Sequence, residues 1–467
     1  MRELRRNMRV VGIIMLCMFI GVGSWFGYSA YLQGTRWMTS GNNRRINSAR
    51  KTVTMGSITD RDGTLLAYTD TDGSRCYAAE REVRRAVSQT VGDTLSMSGT
   101  GVETMHTGIL LGFSGSIIDR TWQWMIGENK RGDDIRLTID AGLSAYISEQ
   151  FPDGYTGAVA VINYRTGEVL AMVSKPDYDP YKAGTSDVVD TAYLNRCLQG
   201  KYAPGSVFKI ITLAAALKNM PGVSSRAYTC EGSRPFGDVP VTCAGGKIHG
   251  GLTLEEAFTE SCNVTFAALS YELGGNKMVE TANNFAFNDN FTFRDLVLYE
   301  SSYPSDMASV AELAWSGVGQ ARVLVTPLHM AMIAGAIGNG GVMMTPKIIG
   351  QITGSTGIPR LRTDEGSYKT VISENTARII GEYMKETVED GTGYRAEVDG
   401  YTVCGKTGSA ETSNDKSVAT NAWFVGYIEE KSSPYAVAVV IEQGGSGGDK
   451  AARLAGKTLK KAIELIG

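Results

Sequence analysis

The sequence predicts an α+β protein: an antiparallel sheet flanked by helices, preceded by a mainly β module and one membrane-crossing helix. Three observations carry that expectation. Strand patterns occur from Ala158 to Val173 and again from Lys369 to Ile441, with helical segments dominating 191–340 between them. That layout suits one sheet closed by the two ends of a domain. Short strand-like pieces with many turns fill 32–149, and an apolar run of membrane length comes before them. The 467 residues leave room for two or three domains, and 43% hydrophobic against 20% charged residues is an ordinary globular balance. A net charge of −3 gives no reason to expect a nucleic-acid partner.

Arg2, Arg5, Arg6 and Arg9 precede the apolar run, which extends from about Val10 to Tyr31. About 20 apolar residues cross a bilayer, and positive charge ahead of them holds the N-terminus in the cytoplasm. Residues 1–31 therefore read as a cytoplasmic tail and single-pass anchor, with everything after them outside the membrane. Tyr28-Ser29-Ala30 is a poor small-x-small cleavage site, and Cys17 follows Leu16 rather than a small residue. Both facts argue against a cleaved signal peptide or a lipoprotein anchor.

In 32–149, Met55 to Ala67 reads as strand, Asp62-Gly63 turn and strand. Ile135 to Asp140 reads as a strand followed by a helix that Asp140 caps. No convergent chemistry occurs there, so this stretch is expected to be a non-catalytic docking module. Residues 150–467 form the second domain. Ala158–Ile162 and Glu168–Val173 flank the Tyr164–Gly167 turn as a hairpin. Later strands are expected at Lys369–Ile372, Thr402–Thr407, Ala422–Tyr427 and Tyr435–Ile441, and an amphipathic helix from Ala451 to Ile466. A polar, Gly-rich excursion from Cys230 to Gly251 interrupts the helices.

Ser206 and Lys209 stand three apart, between the Pro204-Gly205 turn and the apolar run that begins at Ile210. Ser206 is therefore expected at a helix start, with both side chains on one face and within hydrogen-bonding reach. A neutral amine there takes the serine proton, and the helix N-terminus offers N–H groups to an oxyanion. Ser-x-x-Lys recurs at Ser48 to Lys51 and Ser413 to Lys416, so neighbouring motifs must decide. One is Ser261-Cys262-Asn263, after a helix beginning near Thr253; its look-alikes are Ser40 to Asn42 and Ser373 to Asn375, the second read as a helix N-cap. The other is Lys406-Thr407-Gly408, the only Lys-Thr-Gly in the chain. On a strand, Lys406 and Gly408 share a face, the glycine admits a substrate, and the cation and hydroxyl suit a carboxylate.

The seven cysteines show no metal-ligand spacing, which argues against a zinc site, and no nucleophile motif lies beside His106, His249 or His329. Cys262 lies between Ser261 and Asn263, and Cys243 belongs to the excursion that runs into the same segment. A Cys243–Cys262 bridge would draw the excursion over those residues. A Cys230–Cys243 staple and three separate thiols are the alternative readings.

Ser-x-x-Lys, Ser-x-Asn and Lys-Thr-Gly in this order resemble the signature of penicillin-binding proteins and class A β-lactamases. The chain resembles a class B penicillin-binding protein, a monofunctional peptidoglycan D,D-transpeptidase. Segments 132–140, 195–200, 203–209, 249–253, 325–330 and 422–427 are similar to the family as well, and in its order. The resemblance implies that Ser206 attacks the bond between the terminal D-alanines of a stem peptide, with Lys209 as base. Ser261 would relay a proton, Asn263 would bind the donor amide, and Lys406 and Thr407 of the Lys406-Thr407-Gly408 motif would hold the carboxylate. Backbone N–H groups of Ser206 and Ser409 would receive the oxyanion. It also implies covalent inhibition by β-lactams, no metal or cofactor, and a SEDS-type membrane glycosyltransferase as partner. Met55 stands where the family usually has Arg, His329 where it has Gln, and Cys197 and Cys404 where small residues are common. A β-lactamase or carboxypeptidase would share the three motifs. The length of 32–149 and the N-terminal anchor weigh against both. A non-enzymatic β-lactam receptor is disfavoured because too few residues precede Val10 for a cytoplasmic domain.

Overall fold

The computed structural model describes residues 2–38, 49–50, 52–113, 131–361, 366–413, 415 and 417–467. Helix α1 (Arg2–Met38) contains the apolar stretch Arg6–Ser29, long and apolar enough to cross a membrane. At 1.5 Å per residue, that stretch spans about 36 Å.

Strands β1 (Ile58–Thr59) and β2 (Leu65–Thr69) form the expected antiparallel hairpin around Asp62-Gly63. Asp60 shapes the turn: its carboxylate accepts from the backbone N–H of Asp62 and Thr64. Strand β3 (Arg75–Tyr77) pairs with β2, and four short helices follow between 81 and 110. Strand β4 (Asp134–Leu137) runs parallel to β1. Helix α2 (Ala141–Gln150) starts where Asp140 accepts from Leu143 N at 2.7 Å, as the sequence predicts.

Strands β5 (Gly157–Asn163) and β6 (Val169–Lys175) form the second expected hairpin. The helical half begins with α3 (Lys209–Asn219), which is buried along nearly its whole length. The polar excursion folds as two small two-stranded sheets. Strand β7 (Tyr228–Cys230) pairs with β10 (Gly250–Leu252), and β8 (Ser233–Phe236) pairs with β9 (Val239–Thr242). Helices α4 (Leu254–Thr259) and α5 (Asn263–Leu273) follow, α4 opened by a capping box between Thr253 and Glu256. Helix α6 (Pro327–Gly338) leads to β11 (Val342–Met344), β12 (Ile349–Thr353), β13 (Pro359–Leu361) and β14 (Ser367–Thr370). Helix α7 (Glu374–Glu389) is capped by Ser373, which accepts from Thr376 N, so the Ser373–Asn375 motif is a cap as expected. The chain closes with β15 (Val403–Ala410), β16 (Asn421–Ile428), β17 (Tyr435–Ile441) and α8 (Ala452–Ile466).

The central sheet has the order β15-β16-β17-β5-β6 and is antiparallel throughout. Its middle strands are buried on both faces, which explains their near-continuous apolar runs. Alternation still sorts them. Val437, Val439 and Ile441 pack with Leu143, Leu454 and Leu459 of α2 and α8. Ala436, Ala438 and Val440 face the larger helical core, where α6 crosses the sheet. The strand expected at Lys369–Ile372 does form, as β14, but it pairs with β11 and lies outside the central sheet. A second sheet has the order β13-β12-β4-β1-β2-β3. It joins strands before residue 138 to strands after residue 348, crossing the 149/150 boundary drawn from sequence.

Candidate active site

The Ser206 segment is set by two close backbone approaches. Gly205 has φ +56 and donates its N–H to Gly319 O at 2.9 Å. Gly319 has φ +73, and a Cβ there would lie 2.1 Å from the Gly205 carbonyl oxygen, so both positions demand glycine. Residues Gly205–Phe208 form a 3₁₀ turn, and α3 begins only at Lys209. Ser206 therefore sits one turn ahead of the α-helix and does not cap it. Its hydroxyl has no hydrogen-bond partner among the described residues.

Lys209 is fully buried, and Ser206 Oγ is not among its hydrogen-bond partners. Its Nζ donates to Ser261 O at 2.6 Å, Ser261 Oγ at 3.1 Å and Asn263 Oδ1 at 2.8 Å. Burial pushes the amine down to about 7. Lys406, also fully buried, donates to Ser261 Oγ at 3.0 Å and to Thr407 O at 3.2 Å. Burial and then the charge of Lys209 hold it well below the usual lysine value. One hydroxyl thus receives two lysines. Ser261 reaches that position from a left-handed backbone, φ +58, between α4 and α5. A non-glycine residue adopts such a conformation at a cost of about 1–2 kcal/mol, and local strain of this kind clusters at functional sites.

Strand β15 presents Lys406 to Ser409 along the free edge of the central sheet. Packing gives Gly408, which lines the cavity, a further reason to be glycine. A Cβ there would meet the Pro204 carbonyl and Val207 at 3.0 Å and Trp423 at 3.2 Å. The glycine lets the strand press on the Ser206 turn. Trp423 locks the same contact by donating Nε1–H to Ala203 O.

Ser206, Ser261, Asn263, Thr407, Gly408 and Ser409 line one cavity of about 430 Å³. Thr392, which the motif search missed, also lines it and is 2.6 Å from Thr407 Oγ1. Its only sequence signal is the Gly391-Thr392-Gly393 turn. Lys209 and Lys406 reach the cavity through Ser261 Oγ. The look-alikes Ser40 to Asn42 and Ser48 to Lys51 lie outside the described residues, as does Lys416. His106 and His329 are buried among backbone and hydroxyl partners, whereas His249 lines the cavity. Cys197 and Cys404 are buried as small apolar groups. The seven cysteines are all free. The cysteine spacing, taken as evidence against a metal set, concealed one grouping: Cys230, Cys243, His249 and Cys262 bring their ligand atoms within 4.8 Å of one another.

Residues 157–460 match the family described as the penicillin binding protein transpeptidase domain. The chain is 29% identical over 455 residues to the peptidoglycan D,D-transpeptidase PbpA of Mycolicibacterium smegmatis, covering 90% of this chain and 91% of that one. Among solved structures it is similar to penicillin-binding protein A of Mycobacterium tuberculosis in its penicillin G acyl-enzyme complex. That match has 27% identity and a TM-score of 0.78, and covers 88% of this chain and 99% of the other. It is likewise similar to the D,D-transpeptidase domain of a peptidoglycan glycosyltransferase from Eggerthella lenta, with 28% identity and a TM-score of 0.75, covering 89% and 99%.

Proposed function

The chain belongs to the penicillin-binding protein transpeptidase family, and on that premise we propose that it cross-links peptidoglycan stem peptides by serine acyl transfer. Ser206 Oγ adds to the carbonyl between the two terminal D-alanines of a donor stem. Its proton passes to Lys209, whose amine burial brings down to about 7. Backbone N–H groups of Ser206 and Ser409 receive the oxyanion. Collapse breaks the peptide bond, and Ser261 delivers the proton to the departing D-alanine. The amine of a second stem then attacks the acyl-enzyme, restoring Ser206 and forming the cross-link.

Asn263 holds the donor amide, and Lys406 and Thr407 hold the terminal carboxylate. The unpaired edge of β15 offers the donor backbone a strand to pair with. A β-lactam enters the same cavity and leaves an acyl group on Ser206. The observation that carries this reading is the unpartnered Ser206 hydroxyl, sharing a cavity with a Ser261 hydroxyl that two buried lysines contact. Residues 1–31 act as anchor, 32–149 as docking module and 150–467 as transpeptidase domain on the outer side of the membrane. A SEDS-type glycosyltransferase would supply the glycan strands.

Intact mass spectrometry tests the proposal. Incubation with a β-lactam should add one acyl group to the chain, and a donor thioester with a D-amino acid should give the exchanged product. Hydrolysis of the thioester without transfer would make the protein a carboxypeptidase or β-lactamase. An adduct with no turnover of the thioester would make it a receptor.

A further inference from the structure

The excursion between α3 and α4 folds as two two-stranded sheets, whose Phe236, Val241 and Leu252 pack into the helical core. Its inner end converges on three buried thiols and one imidazole. Cys230 Sγ lies 3.6 Å from Cys243 Sγ and 3.4 Å from His249 Nδ1, and Cys243 Sγ lies 3.9 Å from Cys262 Sγ.

These separations can be set against a tetrahedral zinc ion. With Zn–S of about 2.3 Å and Zn–N of about 2.05 Å, ligand sulfurs stand about 3.8 Å apart and sulfur and nitrogen about 3.6 Å apart. The two sulfur–sulfur distances, 3.6 and 3.9 Å, bracket the first value, the sulfur–nitrogen distance of 3.4 Å falls just below the second, and all four ligand atoms lie within 4.8 Å of one another. The competing arrangements use the group less completely. One disulfide leaves a third thiol and the imidazole unengaged. Isolated buried thiols, as at Cys197, have no reason to gather around a histidine. Cys197 donates instead to backbone carbonyls. The sulfurs here receive donors: Gly232 N–H points at Cys230 Sγ, and Thr265 N–H and Oγ1–H point at Cys262 Sγ. Such contacts support metal-bound thiolates.

We propose that Cys230, Cys243, His249 and Cys262 bind one zinc ion, in a closed structural site that fixes Ser261 and Asn263. Four N/S ligands with no open position fit zinc in a structural role and leave no coordination place for a substrate. The link to the cavity is short. Cys262 lies between Ser261 and Asn263 and caps α5, whose first residue is Asn263. Asn263 Nδ2 donates to Thr242 O at 2.9 Å, and Thr242 precedes Cys243. The ion would therefore hold both ends of that hydrogen bond and staple the excursion, whose His249 and Lys247 line the cavity wall. This positioning role rests on the transpeptidase reading, whereas the metal site does not.

The test uses the full chain in detergent, purified without chelators. Elemental analysis should find about one zinc per chain, and cobalt substitution should give the thiolate-to-cobalt charge-transfer bands and intense visible bands of a tetrahedral site. Cys243→Ser and His249→Ala should lose metal. His249→Cys should keep it, and Cys76→Ser should leave it unchanged. Removing zinc with a chelator should slow acylation by a fluorescent penicillin by roughly 10–100-fold, and adding zinc back should restore it. Metal well below one per chain, absence of the cobalt bands, or a mapped disulfide among the three cysteines would overturn the site. Full zinc occupancy with acylation unmoved by its removal would overturn the positioning role. Full occupancy in a chain that no β-lactam acylates would count against the transpeptidase reading and leave the metal site standing.

Discussion

Ser206 and Lys209 illustrate how little separates a structural residue from a reactive one. Ser206 lies half-buried in the 3₁₀ turn ahead of α3 and Lys209 is the buried first residue of that helix; what distinguishes them is a hydroxyl without a partner among the described residues and an amine that burial has made weakly basic. Ser206→Ala should abolish labelling by a fluorescent penicillin while leaving the circular dichroism spectrum unchanged. Labelling that persisted, or mapped to Ser413, would remove Ser206 from its role. The pH dependence follows from the direction of the Lys209 shift. The amine must be neutral to accept the serine proton, and it becomes neutral as pH rises through about 7. The acylation rate should therefore climb about tenfold per unit below that value and flatten above it. Lys209→Met should slow acylation by several orders of magnitude and erase the slope below pH 7. A wild-type profile flat from pH 5.5 to 9 would assign the base to another group.

At the level of elements, the site depends on close backbone contact between segments far apart in sequence. The Gly205–Phe208 turn touches the Gly319 loop on one side and β15 on the other. Gly319→Ala should destabilise the protein by at least about 2 kcal/mol, because an alanine there is strained at φ +73 and its Cβ collides with the Gly205 carbonyl. Acylation should fall with it, since the collision displaces the residue before Ser206. A melting temperature and labelling rate equal to wild type would show that the loop yields without moving the turn. These contacts also explain what could be read from the sequence. Local patterns mark Ser206, Lys209, Ser261, Asn263 and Lys406 to Ser409, and caps such as Asp140 and Ser373 follow from neighbouring residues. Thr392 leaves only a Gly-Thr-Gly turn and the Cys230–Cys243–His249–Cys262 group no familiar ligand spacing, because the tertiary fold is what brings their atoms together. The close packing at Gly408 was illegible for the same reason: it lies on Pro204, Val207 and Trp423, and no strand pattern names them.

For the whole molecule, the question is how the N-terminal half serves a cavity to which it contributes no lining residue. Sequence patterning identified strands on both sides of residue 150. Strand propensity does not specify a partner, so the pairing of β12 with β4 was not legible. The two halves share that sheet and more. Arg84 pairs with Asp179 and Arg85 with Asp177, and the buried Gln89 amide donates to Ser174 O, Pro176 O and Ala192 O. A chain beginning at Gly132 would keep β4, β12 and β13. It would lose β1 to β3, expose the edge of β4, and leave Asp177 without one cation and Asp179 without its partner. It should therefore melt well below the full chain, because an unpaired sheet edge and apolar groups of β4 that pack with the lost residues, such as Ile135 and Leu137, become exposed. The chemistry should be spared. Every residue lining the cavity lies at or after Ser206, so the fraction that remains folded should acylate with penicillin at close to the full-length rate. Thermal melts by circular dichroism, combined with labelling normalised to the folded fraction, separate the two effects. A truncated chain that is demonstrably folded yet does not acylate would show that the N-terminal half shapes the cavity itself, and its role could no longer be docking alone.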